Sequence, residues 1–527
     1  MNNTKKRFLK VFLPLLLALT TIAAALAGCG SSGNGYNEAM PDAADLYYSN
    51  KMNVQANKAG TAESNGTSDD KFVENPFIDT SRQNISTFSA DVDTASYAFF
   101  RKTVTGWQSQ KANTQTILSA LKKNAAVFRT EEFLNYFRYD ASAPGEDRLF
   151  GTTVGILPCP WNEKNRLLRL TLQAPATTPS GGNNLVFLID VSGSMSSSDK
   201  LPLLKKAFSY LVEQLTDRDR VSIVTYSGKE EVLLRGCSGS DKQTILNAVN
   251  SLEAHGATNG EEGLKKAYEI AADWRIADGN NRIIMASDGD LNVGISSASE
   301  LKAFVEGKRD EGIFLSVLGF GTGNYRDRNM EALADNGNGV YYYIDGESEA
   351  QKVFGTDLIS TLYTVAKDVK LQLVFDPAYI SAYRQIGYEN RQLAESDFTD
   401  DTKDAGEVGA GHQVTVFYEL VLTEEAEKPD APADAAWMTL KIRYKDADAL
   451  TSKADPDLLI GAANRVKPDP DTEFMVCVIE LTMLLHDSAY LPDSITYASL
   501  YAELSGLDLS SYADRAEFRE LVKTLAG

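Results

Sequence analysis

The sequence predicts an α/β fold, a doubly wound and mainly parallel sheet, set within a flanking β-rich module and closed by a C-terminal helical segment. Three observations predict it. Residues 184–366 alternate short apolar runs with amphipathic stretches, the pattern of buried parallel strands covered by helices on both faces. The sequence on either side breaks that alternation, giving half-buried strands and then a run of helices after residue 470. With 527 residues the chain exceeds what one hydrophobic core supports, so several domains are expected.

In chain order, Lys5, Lys6, Arg7 and Lys10 precede an apolar run from Val11 to Gly28. That is the layout of a secretory signal, residues 1–28. The run is also just long enough to span a bilayer as an uncleaved anchor, but Pro14 and the small residues before Cys29 favour cleavage. Leu26-Ala27-Gly28-Cys29 resembles a bacterial lipoprotein box. The resemblance implies lipidation at Cys29 and a protein anchored to the cell membrane, facing outside the cytoplasm. Residues 29–75 are rich in Gly, Ser, Asn, Asp and Ala without an apolar period and read as a flexible tether. As a coil it spans about 40 Å.

The N-terminal flanking region, 76–183, contains helices over Ser96–Thr105 and Thr130–Phe137 and strands over Gly151–Pro158 and Arg166–Gln173. Asp91 and Asp93 read as N-cap and first-turn residues of the helix that follows, in preference to a second metal pair. In the α/β domain, 184–366, the predicted strands are Asn184–Asp190, Val221–Tyr226, Val232–Arg235, Arg282–Ser287, Phe314–Phe320 and Val340–Ile344. The helices are Leu201–Leu215, Lys242–Leu252, Glu261–Ile276, Ala298–Arg309, Arg328–Asn336 and a closing Ala350–Val365. The C-terminal flanking domain, 367–527, opens with antiparallel strands at Val369–Phe375, Gln413–Leu422 and Trp437–Tyr444. Helices at Glu473–Leu485, Ser494–Leu504 and Arg515–Leu525 follow. The acidic stretch Asp397–Asp404 reads as a solvated loop.

Net charge −21 argues against nucleic acid or an anionic membrane surface as the main partner. Four cysteines in this length are too few for a disulfide scaffold and match no CxxC spacing. Apart from Cys29, Cys159, Cys237 and Cys477 read as packing residues.

One constellation carries chemistry. Asp190-Val191-Ser192-Gly193-Ser194 follows a buried strand and sets a carboxylate and two hydroxyls on one side of a turn. These are the hard oxygen donors that Mg²⁺ prefers. Thr258 lies in the loop that opens the helix beginning at Glu261, and Asp288 ends the strand Arg282–Ser287. If the two strands are parallel neighbours, both aspartates project from the carboxyl edge, where such sheets bind ligands. Singly, each of these residues would read as a helix or turn cap.

The runs NLVFLIDVSGSM, GATN and SDGDLNVG resemble the von Willebrand factor type A domain and its metal-ion-dependent adhesion motif. The resemblance implies direct ligation by Ser192, Ser194 and Thr258. Asp190 and Asp288 would act directly or through water, the metal would be Mg²⁺ or Mn²⁺, and an open position would take an acidic side chain from a protein partner. The flanking runs STFSADVDTASYAFFRK, RTEEFLNYFRYD, PCPWNEKNRLLRL, IGYENR and GAGHQVTVFYEL are similar to a recurring bacterial lipoprotein arrangement of this domain. The expected function is therefore metal-dependent protein binding at the cell envelope. A structural scaffold is the alternative. A metal-assisted hydrolase ranks below both: no G-x-S-x-G, H-E-x-x-H or Walker A run is present, and His255, His412 and His486 read as loop or structural residues.

Overall fold

The computed structural model describes residues 72–527 except 177–180, 258–259, 278, 290–297, 322–326, 358–362, 429–431, 433, 447–448 and 450. The signal segment, Cys29, the tether up to residue 71 and Thr258 lie outside the described residues. No described helix is long and apolar enough to cross a membrane.

The chain first forms β1 (Ile78–Asp79) and β2 (Ile85–Ser89), then the helices Ala95–Ser109, Thr114–Lys123 and Thr130–Tyr136. The hairpin of β3 (Gly151–Pro158) and β4 (Asn165–Gln173) follows. The α/β unit comes next, with β5 (Asn183–Asp190), β6 (Arg220–Tyr226), β7 (Glu230–Ser238), β8 (Asn280–Ser287), β9 (Phe314–Phe320) and β10 (Tyr341–Ile344). Their order across the sheet is β10-β9-β8-β5-β6-β7. Every pair is parallel except β6 with β7.

Strand β5 is buried along its whole length, and its alternation assigns the two covered faces. Leu185, Phe187 and Ile189 pack with Leu204, Phe208 and Leu211 of helix Leu201–Gln214. Val186 and Leu188 pack with Leu264, Ala267 and Ala271 of helix Glu261–Asp273. This is the doubly wound architecture expected from the alternation of strands and helices.

The closing helix differs from the sequence expectation. It runs over Glu347–Lys352, continues as a wider turn through Val353–Asp357, and Thr364 already begins β11 (Thr364–Phe375). Gly355 weakens a helix interior, and the β-branched Thr364 and Val365 suit a strand. Thr364 pairs with Gly409 there.

Beyond β11 lie β12 (Ile380–Ile386), β13 (Gln392–Leu393), β14 (Gly406–Gly409), β15 (Gln413–Leu422), β16 (Ala436–Lys445), β17 (Lys453–Ala454) and β18 (Leu458–Gly461). Strands from before and after the α/β unit interleave. One antiparallel sheet has the order β1-β12-β15-β4-β3; the other has β13-β2-β11-β16-β17, with β14 on β11 and β18 on β16. The two share a core to which β4 gives Leu168, Leu170 and Leu172, β15 gives Val414, Val416 and Tyr418, and β11 gives Leu371, Leu373 and Phe375. Period-two alternation sends Leu167 and Arg169 of β4 to the opposite face. There Leu167 joins a helical core and Arg169 donates to Thr472 Oγ1 at 2.7 Å.

That helical core combines Ala95–Ser109 and Thr130–Tyr136 with Pro470–Leu485, Tyr497–Gly506 and Ala513–Ala526. Pro470–Leu485 is capped by Asp469, whose carboxylate accepts from Thr472 N at 2.7 Å, and Pro470 suits the first turn. It is buried nearly all round, the mark of a central helix. Cys159 and Cys477 are buried in this core, Cys237 is half-buried, and all three are free thiols.

Buried arginines join the flanking elements to the α/β unit. Arg101 contacts Asp345 at 2.6 Å and Glu349 at 2.7 Å, just after β10. Arg129 pairs with Glu331 at 2.6 Å on helix Asp327–Asn336. Arg391 reaches Asp335 at 2.9 Å, Asp91 at 3.2 Å and Asp93 at 3.5 Å. This corrects the capping role expected for the two aspartates: Asp93 instead accepts from Tyr341 N at 2.9 Å on β10. The helix start is served from elsewhere, since Ser96 N donates to Glu132 Oε2 at 2.8 Å. Asp91 and Asp93 are too deeply buried to act as exposed caps, and Arg391 supplies the countercharge.

Two outcomes follow from this packing. Arg391→Met leaves Asp91, Asp93 and Asp335 facing one another without their cation and should cost about 3–5 kcal/mol in denaturant unfolding at pH 7. Glu480, fully buried on Pro470–Leu485, pairs with no cation among the described residues, and burial beside Glu503 pushes its pKa up to about 8. Its folded value lies above the unfolded one. The protonated acid therefore costs nothing near pH 4, and the penalty grows between the ordinary glutamate value of 4.5 and about 8, above which it is complete. Glu480→Gln should leave the melting temperature unchanged at pH 5 and raise it by several degrees at pH 8.

Candidate metal centre

Parallel pairing brings the motif residues to one edge. Strands β5 and β8 are neighbours in register, Ile189 opposite Ala286, so Asp190 stands beside Ser287 and Asp288 follows one residue later. Ser287 Oγ lies 3.5 Å from Asp190 Oδ2. The chain leaves β5 in a turn fixed by Asp190 itself, whose Oδ1 accepts from Ser192 N at 2.8 Å. That turn places Ser192 Oγ 2.9 Å from Ser194 Oγ. The loop leading to Thr258 is hydrogen-bonded onto the same turn: His255 N donates to Val191 O at 2.7 Å and Gly193 N to Gly256 O at 3.1 Å. Gly256 takes a positive φ of 75° there, which glycine adopts without strain.

Of the five residues expected from the sequence, the structure brings Asp190, Ser192, Ser194 and Asp288 together, and Thr258 lies outside the described residues. Asp190, Ser192 and Asp288 are buried, while Ser194 and residues 255–257 are exposed, so the centre opens to solvent on the Ser194 side. Burial pushes the Asp190 carboxyl up to about 6, with the charge of Asp288 adding to the rise against hydrogen bonds from Ser192 and Ser287. No lysine or arginine pairs with Asp190 among the described residues. Asp288 Oδ2 meets the ammonium of Lys200 at 2.8 Å. Sequence reasoning missed Lys200; the lysine lies 88 positions from Asp288, and only its closeness to the motif could have suggested it.

The donor set fits a divalent cation. Two carboxylates and two adjacent hydroxyls are hard oxygen ligands suited to Mg²⁺ or Mn²⁺. An ammonium already resting on Asp288 shows that this edge attracts positive charge. Here Asp190, Ser192, Ser194 and Asp288 would hold the ion, which when bound supplies a Lewis-acidic position for an anionic oxygen.

A second carboxylate group, of which only Asp404 falls in the acidic stretch expected as a solvated loop, lies in the flanking elements. Oxygens of Asp368, Asp404 and Glu407 lie within 4.8 Å of one another. Lys445 pairs with Asp368 and Arg309 with Asp404, each at 2.6 Å, so protein cations already compensate two of the three. Neither buried His412 nor half-buried His486 is basic enough to hold a proton at neutral pH. Burial lowers His412 to about 3 and His486 to about 4, and both belong to the flanking elements.

The chain is similar to known proteins along most of its length. The family described as von Willebrand factor type A domain matches residues 184–356, von Willebrand factor matches 63–169, and "Uncharacterized protein YfbK, C-terminal" matches 360–527. Uncharacterized protein YfbK of Escherichia coli (strain K12) is 37% identical over 482 residues, 87% of this chain and 80% of that protein. Human inter-alpha-trypsin inhibitor heavy chain H3 is 30% identical over 188 residues, 34% of this chain and 21% of that protein. Among solved structures, a von Willebrand factor type A protein from Catenulispora acidiphila aligns over 66% of this chain and 81% of its own, at 19% identity and TM-score 0.39.

The buried, uncompensated charge gives a metal-free test. Asp190 has its folded pKa above the unfolded value, so its penalty is absent below about pH 4 and complete once pH exceeds about 6. Asp190→Asn should therefore stabilise the chelator-treated protein at pH 7.5 by on the order of 2 kcal/mol. Mg²⁺ should raise the melting temperature of the parent protein and not that of the variant.

Proposed function

The chain belongs to the family of YfbK, proteins that join a von Willebrand factor type A domain to a YfbK C-terminal region, and from that premise we propose that it binds a protein partner through a divalent metal held at the carboxyl edge of β5 and β8. The ligands are Asp190, Ser192, Ser194, Asp288 and Thr258, and the partner supplies an acidic side chain to the open coordination position. One observation carries this reading above the others: Asp190 is buried beside paired serine hydroxyls, and among the described residues no lysine or arginine pairs with it. A structural role alone would favour an arginine there, as at Asp345, Glu331 and Asp335.

Cys29 is the proposed lipid attachment, which would place the centre outside the cytoplasm at the end of a flexible tether. Catalysis has less support, because His412 and His486 lie in the flanking elements and are weak bases there. The acidic surface of the chain disfavours nucleic acid as the ligand.

The test is capture from an envelope extract with full-length protein in Mg²⁺, in excess chelator, and as Asp190→Ala or Thr258→Ala. The reading requires a protein retained in Mg²⁺ and lost in the other three conditions, with unchanged circular dichroism of the variants. Palmitate labelling in cells should disappear on Cys29→Ala. Retention of the same partner in chelator would refute a metal-dependent contact.

A further inference from the structure

Lys200 is the one cation in direct contact with the proposed centre among the described residues. Its Nζ lies 2.8 Å from Asp288 Oδ2 and 3.0 Å from the backbone oxygen of Ser194. Its side chain is 11% exposed, so the charge is largely removed from water. The stem lies in a slot made by a glycine: a Cβ on Gly321 would fall 2.2 Å from Lys200 Cε. Gly321 holds a positive φ of 75°, and its carbonyl accepts from Tyr343 OH at 2.6 Å, which fixes the slot to β10. Lys200 is also the residue immediately before helix Leu201–Gln214. A cation at a helix N-terminus opposes the helix dipole. Helix stability does not explain the lysine; contact with Asp288 does.

Resting on the metal-binding reading above, we propose that Lys200 is a specificity-determining residue of this centre, weakening its hold on the metal while strengthening its hold on an anionic ligand. The reasoning is electrostatic. The ammonium and a divalent ion both seek Asp288, and each repels the other across a few ångströms of poorly solvated protein. Lys200 therefore lowers metal affinity. Once the metal is bound, the two aspartates cancel its formal charge, and the lysine leaves the centre net positive. A carboxylate ligand then meets a net positive centre in place of a neutral one. Without the lysine the centre keeps its metal more tightly and attracts a carboxylate less.

The experiment uses the whole chain, Mn²⁺ as the metal probe and glutarate as the carboxylate probe. Mn²⁺ affinity is read by electron paramagnetic resonance, and glutarate binding to the loaded protein by water-proton relaxation. Lys200→Met keeps the stem and removes the charge; it should bind Mn²⁺ about tenfold tighter and glutarate several-fold weaker than the parent. Lys200→Arg keeps the charge and adds a fork that can engage both oxygens of Asp288, so it should bind Mn²⁺ no more tightly than the parent. If Lys200→Met does not fold, Lys200→Gln replaces it with the same expectation. Equal or weaker Mn²⁺ binding in a folded, charge-free variant overturns the role of Lys200 and leaves the centre standing. Failure of the parent to bind Mn²⁺ removes the centre itself and the inference with it.

Discussion

Buried carboxylates must find positive charge, and the way each is answered organises this molecule. Removing an ionised carboxyl from water is costly unless hydrogen bonds and a countercharge replace the solvent. In the flanking modules arginine answers several of them, while Glu480 keeps its proton instead. Arg384 meets Glu419 at 2.8 Å between β12 and β15, and Arg515 meets Asp471 at 2.7 Å between two C-terminal helices. Arg101, Arg129 and Arg391 do the same across the seam to the α/β unit. At the carboxyl edge of β5 and β8 the solution changes. Among the described residues Asp190 receives neutral donors from Ser192 and Ser287, and Asp288 meets Lys200.

The same ion pairs determine what is left open. Helix Asp327–Asn336 and the turn after β10 are gripped by arginines from sequence on both sides of the α/β unit. The strands before and after that unit pair with each other, so the two flanks depend on one another to complete their sheets. A unit held at that margin, with helices covering both faces of its sheet, presents to solvent the turn 193–194 and the loop 255–257 at the metal edge. Rigid support beneath, with exposed loops above, is the arrangement that lets a centre engage a large partner without rebuilding the fold.

Much of this was legible in the sequence because it is local. The apolar run 184–190 and the alternation of β4 depend on near neighbours, and their burial follows from periodicity alone. The aspartate–serine turn could be read because two strands of similar character end in aspartate. What escaped depends on distant partners. Asp91 and Asp93 look like helix caps until Arg391, some 300 residues on, is brought to them. The closing helix looked longer because the helical period continues past Gly355, while pairing of Thr364 with Gly409 decides otherwise. The interleaving of the flanking strands has no local signature at all, since β15 pairs as readily with β4 as with β12.

Lysine, and not arginine, at position 200 follows from the same electrostatics. An arginine fork would engage both oxygens of Asp288 and present several fixed donors to the turn, closing the centre as the arginines close the seam. An ammonium on a flexible stem is a compact charge that meets one carboxylate oxygen, Asp288 Oδ2, with no planar fork to span both. The glycine at 321 makes room for that stem, and the backbone oxygen of Ser194 gives the ammonium a second acceptor without drawing on the serine hydroxyls. Countercharge that is complete at the seam and partial at the edge separates the part of the molecule that holds itself together from the part left able to hold something else.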